Sequence, residues 1–447
     1  MNLPRKLLSS SVVAALGGLL FGFDTVVISG AEQAIQSLWG LSDGLHGSAI
    51  SAALWGTVLG SLAGSIPTDR LGRRGTLLWI GVLYFVSAVW SALATDVYSF
   101  MVARFLGGVG VGVSTVAAPL YIAEIAPTAL RGRLSGLFQF NIVLGILLAF
   151  ISNAALRYFC DENAWRWMLG VEALPALAYT LFALRLPESP RWLIGIRGQR
   201  AEGEAAIQAL NPDAQPEEIE SQVRKIEQAA QEEEQSAGAT ALPSSLSRPI
   251  LLALLIAFFN QLSGINAVLY FAPRIFESTG LRENAALLQS VGIGVTNLIF
   301  TLVGLALIDW LGRRSLLLLG SVGYIASLGL CSWAFANESY QIVPVCIFAF
   351  IASHAIGQGA VIWVFISEIF PNEHRAMGNS IGCGTHWVLA ATITLVFPWA
   401  VNSYAPWQVF AFFCGMMVLQ LIWVLAMVPE TKDVPLEEIQ KRLCIKR

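Results

Sequence analysis

Three charged phrases occur twice in this chain, each time at the end of an apolar stretch. Asp69-Arg-Leu-Gly-Arg-Arg74 returns as Asp309-Trp-Leu-Gly-Arg-Arg314, Glu124-Ile-Ala-Pro-Thr-Ala-Leu-Arg131 as Glu368-Ile-Phe-Pro-Asn-Glu-His-Arg375, and Pro187-Glu-Ser-Pro-Arg191 as Pro429-Glu-Thr-Lys432. The offsets are 240, 244 and 242 residues. Chance recurrence does not keep its spacing three times in order, so the chain reads as two copies of one unit. Parallel repeats of this kind place a central site between two bundles.

Each copy is far too apolar to stand in water. Hydrophobic residues make up 55% of the chain, mean hydropathy is +0.64, and charged residues are 13% against roughly 25% in a soluble domain. Apolar windows long enough for a hydrocarbon core about 30 Å thick fall at roughly 8-30, 48-68, 75-95, 98-122, 134-156, 168-186, 249-273, 285-308, 315-336, 342-370, 378-402 and 407-428. The expected fold is an all-α integral membrane protein with twelve transmembrane helices in two six-helix halves. The pattern divides it into an N-terminal bundle (1-187), a helical linker (188-248), a C-terminal bundle (249-430) and a tail (431-447).

Basic residues collect on cytoplasmic loops. Arg5, Lys6, Arg70, Arg73, Arg74, Arg131, Arg133, Arg191, Arg313, Arg314 and Arg375 fall on one side of an even topology, whereas Arg157, Arg166 and Arg282 fall on the other. Both termini, the linker and the tail are therefore expected in the cytoplasm, with the protein in the cell membrane. The first apolar run follows Arg5-Lys6 but has no small-residue cleavage site, and reads as a retained helix.

A net charge of −3 without a basic stripe gives no reason to expect nucleic acid. The six cysteines form no Cys-x-x-Cys pair and read as small buried hydrophobes, so no metal is expected. No His-Glu-x-x-His or other intramembrane catalytic pattern occurs; the chain reads as neither an enzyme nor a cofactor protein. In the linker, Ile219, Val223 and Ile226 form one stripe of an amphipathic helix, followed by a flexible stretch over Ser236–Ser247. Gly107-Gly-Val-Gly-Val-Gly112 has the letters of a phosphate loop but lies inside an apolar span, where it reads as a close-packing face.

Three constellations carry candidate chemistry. An ionised carboxylate in hydrocarbon costs at least about 2.5 kcal/mol, so Asp24 in the first span needs a partner or a purpose. Arg104 in the fourth span lies at matching depth, about 9 Å below the outer surface at 1.5 Å per residue. A static salt bridge is one reading; a carboxyl that exchanges a proton when Arg104 moves away is the other. The second constellation is a set of amides at membrane depth: Gln139, Asn260, Gln261, Asn266 and Asn297. Each both donates and accepts, as a polyol requires once water is stripped away, and Trp363 and Trp387 offer flat apolar faces to a sugar ring. Amides also glue helices together. Asn260, Gln261 and Asn266, however, surround Ser263-Gly264, where a helix can distort around a cavity. The third set is the charged phrases themselves. Arg74, Glu124, Arg131, Arg314, Glu368 and Arg375 would either fix topology or form ion pairs that latch the inner helix ends.

At these residues the chain resembles the sugar porter family of the major facilitator superfamily over essentially its whole length. Gly22-Phe-Asp-Thr25, Asp69-Arg-Leu-Gly-Arg-Arg74, Pro119-Leu-Tyr-Ile-Ala-Glu124, Pro187-Glu-Ser-Pro-Arg191, Gln261-Leu-Ser-Gly-Ile-Asn266, Ser367-Glu-Ile-Phe-Pro371 and Pro429-Glu-Thr-Lys432 carry the match. The resemblance implies transport of a hexose or pentose by alternating access. Members similar to bacterial xylose and glucose proton symporters have an aspartate at the place of Asp24, which implies symport with a proton. It also implies that Gln139, Asn260, Gln261, Asn266, Asn297, Trp363 and Trp387 contact sugar. His386 stands where relatives have Gln or Asn, and Gly357-Gln-Gly-Ala-Val-Ile-Trp363 replaces a proline-containing stretch, a change that alters the bending of that helix. The expected partners are a small sugar, a proton and the lipid bilayer, with a monomer as the working unit. A passive uniporter is the nearer alternative. A sugar sensor is the more distant one and is disfavoured by the short tail.

Overall fold

The structure, a computed structural model, describes residues 4–127, 130–160, 163–236, 246–371, 374–434, 438–439 and 443, apart from a few side chains inside helices. All regular structure among the described residues is helical. Ten helical runs are long and apolar enough to cross a membrane on their own. Along the chain the first, third, fourth and fifth helices are Arg5–Val27, Gly72–Leu93, Val97–Ile125 and Arg131–Phe159. The seventh to twelfth are Ser247–Tyr270, Glu283–Leu311, Arg313–Ala336, Tyr340–Ile369, Arg375–Ser403 and Pro406–Met427. Two more complete six and six. The second, Asp43–Ala63, is diluted by His46 and several small residues, and the sixth is interrupted between Ala164–Gly170 and Ala173–Ala183 by Val171 and Glu172.

Packing within the first half depends on close backbone approach. A Cβ on Gly108 would stand 1.8 Å from the Ala53 carbonyl oxygen, and one on Gly112 2.4 Å from the backbone of Ser61. The glycine run of the fourth helix is thus the seam against the second, as small residues in a bilayer allow.

The helices that line the centre are not straight. The seventh breaks at Gly264, whose φ of 85° lies in the left-handed region, and again at Phe271, so that Ser247–Leu262, Ile265–Tyr270 and Ala272–Glu277 are separate segments. The tenth widens into a π-turn over Ala355–Gly359, which overlaps the start of the stretch that replaces the proline. Polar side chains hold this turn. Gln358 donates to Gln420 Oε1 at 3.0 Å, Gln420 donates to Ser321 at 2.8 Å, and His354 Nδ1 lies 2.7 Å from the Tyr324 hydroxyl.

In the linker, helices Arg200–Leu210 and Pro216–Ser236 pack through Ile207 and Val223 onto Ile194, with Ile219 and Ile226 alongside. That is the apolar stripe the sequence predicts. Arg200 holds them together from outside by pairing with Glu204, Glu220 and Glu227, and those hydrogen-bonded carboxylates raise its pKa further above the usual arginine value. Residues 237–245 of the expected flexible stretch lie outside the described residues.

Gly108→Ala is expected to lower stability by about 1–3 kcal/mol through overpacking against Ala53. Gly44→Ala, with open space around it, should be neutral or gain about 0.4–1 kcal/mol. Thermal unfolding of the two purified variants in one detergent checks the contrast.

Candidate functional site

The structure brings Asp24 and Arg104 together. Arg104 donates Nη1 to Asp24 Oδ1 and Nη2 to the Asp24 backbone oxygen at 3.1 Å, and the two residues are 2% and 1% exposed. A third charge-bearing group lies beside them. Glu172, at the break of the sixth helix, is 1% exposed, lies within electrostatic reach of both, and has one carboxyl oxygen without a partner. Sequence reasoning passed over Glu172, although the same cost argument applies to any acid inside the sixth apolar window. From the other half, Tyr270 approaches Thr25, Asp24 and Arg104.

The amides separate into a connected set and two outliers. Gln261 donates to Asn260 Oδ1 at 3.1 Å, accepts from Asn266 at 2.7 Å, and its Nε2 lies 3.1–3.2 Å from the ring nitrogens of His386. His386 is flanked by Trp363 at 5.2 Å and Trp387 at 4.8 Å between ring centroids. Trp387 in turn meets Phe21 of the first helix at 5.6 Å, so the cluster reaches the opposite half. Among the described residues no hydrogen bond joins Gln139 or Asn297 to it. Asn297 accepts only a 3.4 Å bond from Thr301 of its own helix.

The bend at Gly264 creates this cluster. On an unbroken helix residues five apart point about 140° away from each other, and Gln261 and Asn266 could not meet.

At the linker side the repeated phrases fold into the same network twice, and the arginine that pairs is not the one sequence reasoning chose. Arg73, rather than Arg74, forms the bidentate pair with Glu124 at 2.8–3.1 Å and also reaches Asp69. Arg313, rather than Arg314, does the same with Glu368 at 2.7 and 3.1 Å and reaches Asp309. Side chains in a helix lean toward its N-terminus, so the first arginine reaches back toward the preceding charged turn. The second lies about 100° further round and donates instead to the end of a neighbouring helix, Arg74 to Leu184 O and Arg314 to Leu425 O. Glu188 accepts from the backbone N–H groups of Arg73 and Arg74, and Glu430 from those of Arg313 and Arg314, at 2.9–3.0 Å. Gly72 and Gly312 turn into these helix starts at φ 82° and 89°. Arg375 lines a crevice with Arg313, Glu368 and Lys432, while the Arg131 side chain lies outside what is described. Each of these pairs closes within its own half.

Two six-helix halves that meet at these clusters define a transporter of the major facilitator fold. The model of the family described as "Sugar (and other) transporter" matches residues 10–443, and the chain belongs to that family. It is similar to the arabinose-proton symporter of Bacillus subtilis (strain 168), with 34% identity over 442 residues covering 96% of this chain and 94% of the relative. It is also similar to the D-xylose-proton symporter of Escherichia coli (strain K12), with 31% identity over 474 aligned positions, 97% of this chain and 94% of the relative. The inward open conformation of the xylose transporter XylE from E. coli shares its fold at a TM-score of 0.86 and 29% identity, covering 98% of this chain and 99% of that one. The expected family and twelve-helix fold are borne out.

Glu188→Ala and Glu430→Ala each strip a carboxylate from two helix-start N–H groups. Each is expected to cost about 0.5–2 kcal/mol, the range for losing a helix cap. Thermal unfolding should register similar losses in the two variants if the halves are equivalent at this end.

Proposed function

We propose that the chain carries a monosaccharide, a hexose or pentose, together with a proton across the cell membrane by alternating access of its two halves. The observation that carries the proposal is the pairing of two chemistries across one cleft. A desolvated Asp24–Arg104 pair with Glu172 belongs to the first half, and an amide-and-aromatic cluster around Gln261 and His386 belongs to the second. The naming of two relatives as arabinose-proton and D-xylose-proton symporters supports the same reading.

In this proposal residues 1-187 and 249-430 rock against each other within one working monomer, with 188-248 as the tether and 431-447 as the tail. The arginine-rich linker side faces the cytoplasm. Asn260, Gln261, Asn266, His386, Trp363 and Trp387 bind sugar hydroxyls and ring faces, and Gln139 and Asn297 complete the pocket from the fifth and eighth helices. Asp24 takes up the proton when Arg104 is drawn aside, and Glu172 offers the arginine a second carboxylate. Arg74, Glu124, Arg131, Arg314, Glu368 and Arg375, now joined by Arg73 and Arg313, control closure of the inner side. Sugar-induced alkalinisation of the medium by de-energised cells, tested across hexoses and pentoses, decides the proposal. Uptake without alkalinisation would leave a passive uniporter.

Asp24→Asn keeps the site's shape and removes its proton carrier. It should abolish accumulation above the external sugar concentration while sugar exchange persists, and uphill accumulation at the wild-type level would remove Asp24 from the proton path.

Gln261→Ala and Asn266→Ala should each weaken sugar binding by about 1–3 kcal/mol, roughly five- to more than a hundredfold. His386→Gln should change which sugars compete while leaving proton movement intact. Titration of purified protein measures the affinities, and competition uptake reads the selectivity.

A further inference from the structure

On the side away from the linker the halves are joined by a buried ion cluster. Glu32, in the short helix Glu32–Trp39 that follows the first span, is 0% exposed. Its carboxylate accepts from Arg274 Nε at 2.9 Å and Nη2 at 2.7 Å, and lies 2.8 Å from Nε2 of His46, itself 0% exposed. Arg274 Nη2 also donates to Gln36 at 2.6 Å. Glu32, Gln36 and His46 belong to the first half and Arg274 to the last segment of the seventh helix, so this guanidinium satisfies a carboxylate across the cleft.

The other polar contacts across this rim are more exposed. Asn402 donates to Asp43 at 2.7 Å, Arg157 pairs with Glu283 at 2.6 Å, and Gln33 donates to Glu277 at 3.0 Å. Exposed pairs contribute little, whereas removing one member of a buried pair strands the other.

We propose that Glu32 and Arg274, with His46, are the outer latch of the transport cycle. Their bidentate contact holds the outer side shut, and its separation is the step that opens it. This rests on the alternating-access reading above. When the halves part, His46 stays with Glu32 on its own half, so the carboxylate keeps a partner while Arg274 moves into water. The latch is also close in sequence to the proposed proton site from both sides. Glu32 follows Asp24 by eight residues, and Arg274 follows Tyr270, which lies within electrostatic reach of Asp24 and Arg104, by four residues across the break at Phe271.

The test uses the full chain in lipid vesicles, its native cysteines replaced by alanine and a spin-label pair at Tyr98→Cys and Asn337→Cys, exposed positions on the outer ends of the two halves. Dipolar distance measurement should give mainly the short, closed population in the otherwise wild-type background. Glu32→Gln and Arg274→Gln should each raise the ratio of long to short distances at least tenfold, equivalent to about 1.4 kcal/mol. Arg274→Lys, which keeps the charge and loses the fork, should fall between. Asn402→Ala should leave the distribution unchanged. No shift in Glu32→Gln and Arg274→Gln overturns the latch, and so does an equal shift in Asn402→Ala. Glu32→Gln keeps the size and an acceptor, and thermal unfolding verifies that each variant is folded. The labels report closure whatever the cargo, so a wild-type protein that fails to move sugar would sink the transport proposal and leave this result standing.

Discussion

Hydrocarbon offers a charge no water, so each charged group inside this bundle needs a partner, and the location of that partner decides which parts of the molecule can separate. Asp24 and Arg104 pair within the first half. Arg73 and Arg313 of the repeated phrases each pair within their own half. Among the described residues, the fully buried carboxylate of Glu32 takes its arginine partner from the opposite half. Among the described residues, these ion pairs are internal to a half on the linker side and shared between the halves on the far side.

Duplication explains why the internal pairs are so well matched. Gly72 and Gly312 adopt the same left-handed turn, and Glu188 and Glu430 cap the same two N–H groups. These carboxylates come from the third repeated phrase of each half, and the arginines they accompany from the first. The two phrases recur with matched spacing because they fold against each other. Separate drift of either would leave two helix-start donors or a carboxylate without a partner, a loss of about 0.5–2 kcal/mol, the range for a lost helix cap.

Much of this was legible in the sequence because a bilayer permits few answers. Apolar run length set the twelve crossings, including the second and sixth helices, whose small residues or mid-span break depress their hydropathy. The cost of a buried acid singled out Asp24, and its depth found Arg104. Other features depend on direction rather than spacing. That Arg73 and not Arg74 pairs with Glu124 follows from the rotation of each residue about a helix whose start is fixed only by the turn at Gly72. Glu172 obeyed the same rule as Asp24 and was overlooked because it is near the start of a broken helix. The contact of Glu32 with Arg274 was out of reach, since it joins residues 242 apart through an arrangement of halves that no local pattern encodes.

The two halves divide their labour by how their helices are interrupted. In the second half, the break at Gly264 turns Gln261 and Asn266 toward each other and toward His386, and the π-turn of the tenth helix is pinned from behind by Gln358, Gln420 and Ser321. A bent helix exposes side chains and backbone to a cleft, and those polar groups must be satisfied by protein or by cargo. The first half holds its charge on the fully helical stretch Arg5–Val27, where Asp24 is fixed in depth against Arg104. Phe21, one turn before Asp24, touches Trp387 of the amide cluster, and Tyr270, one turn after Asn266, approaches Asp24. Each site is thus one helical turn from a residue that contacts the other or lies within its electrostatic reach. A cargo that moves Trp387 or the segment Asn266–Tyr270 must therefore alter the surroundings of Asp24, which is the physical requirement for coupling two ligands through one rearrangement.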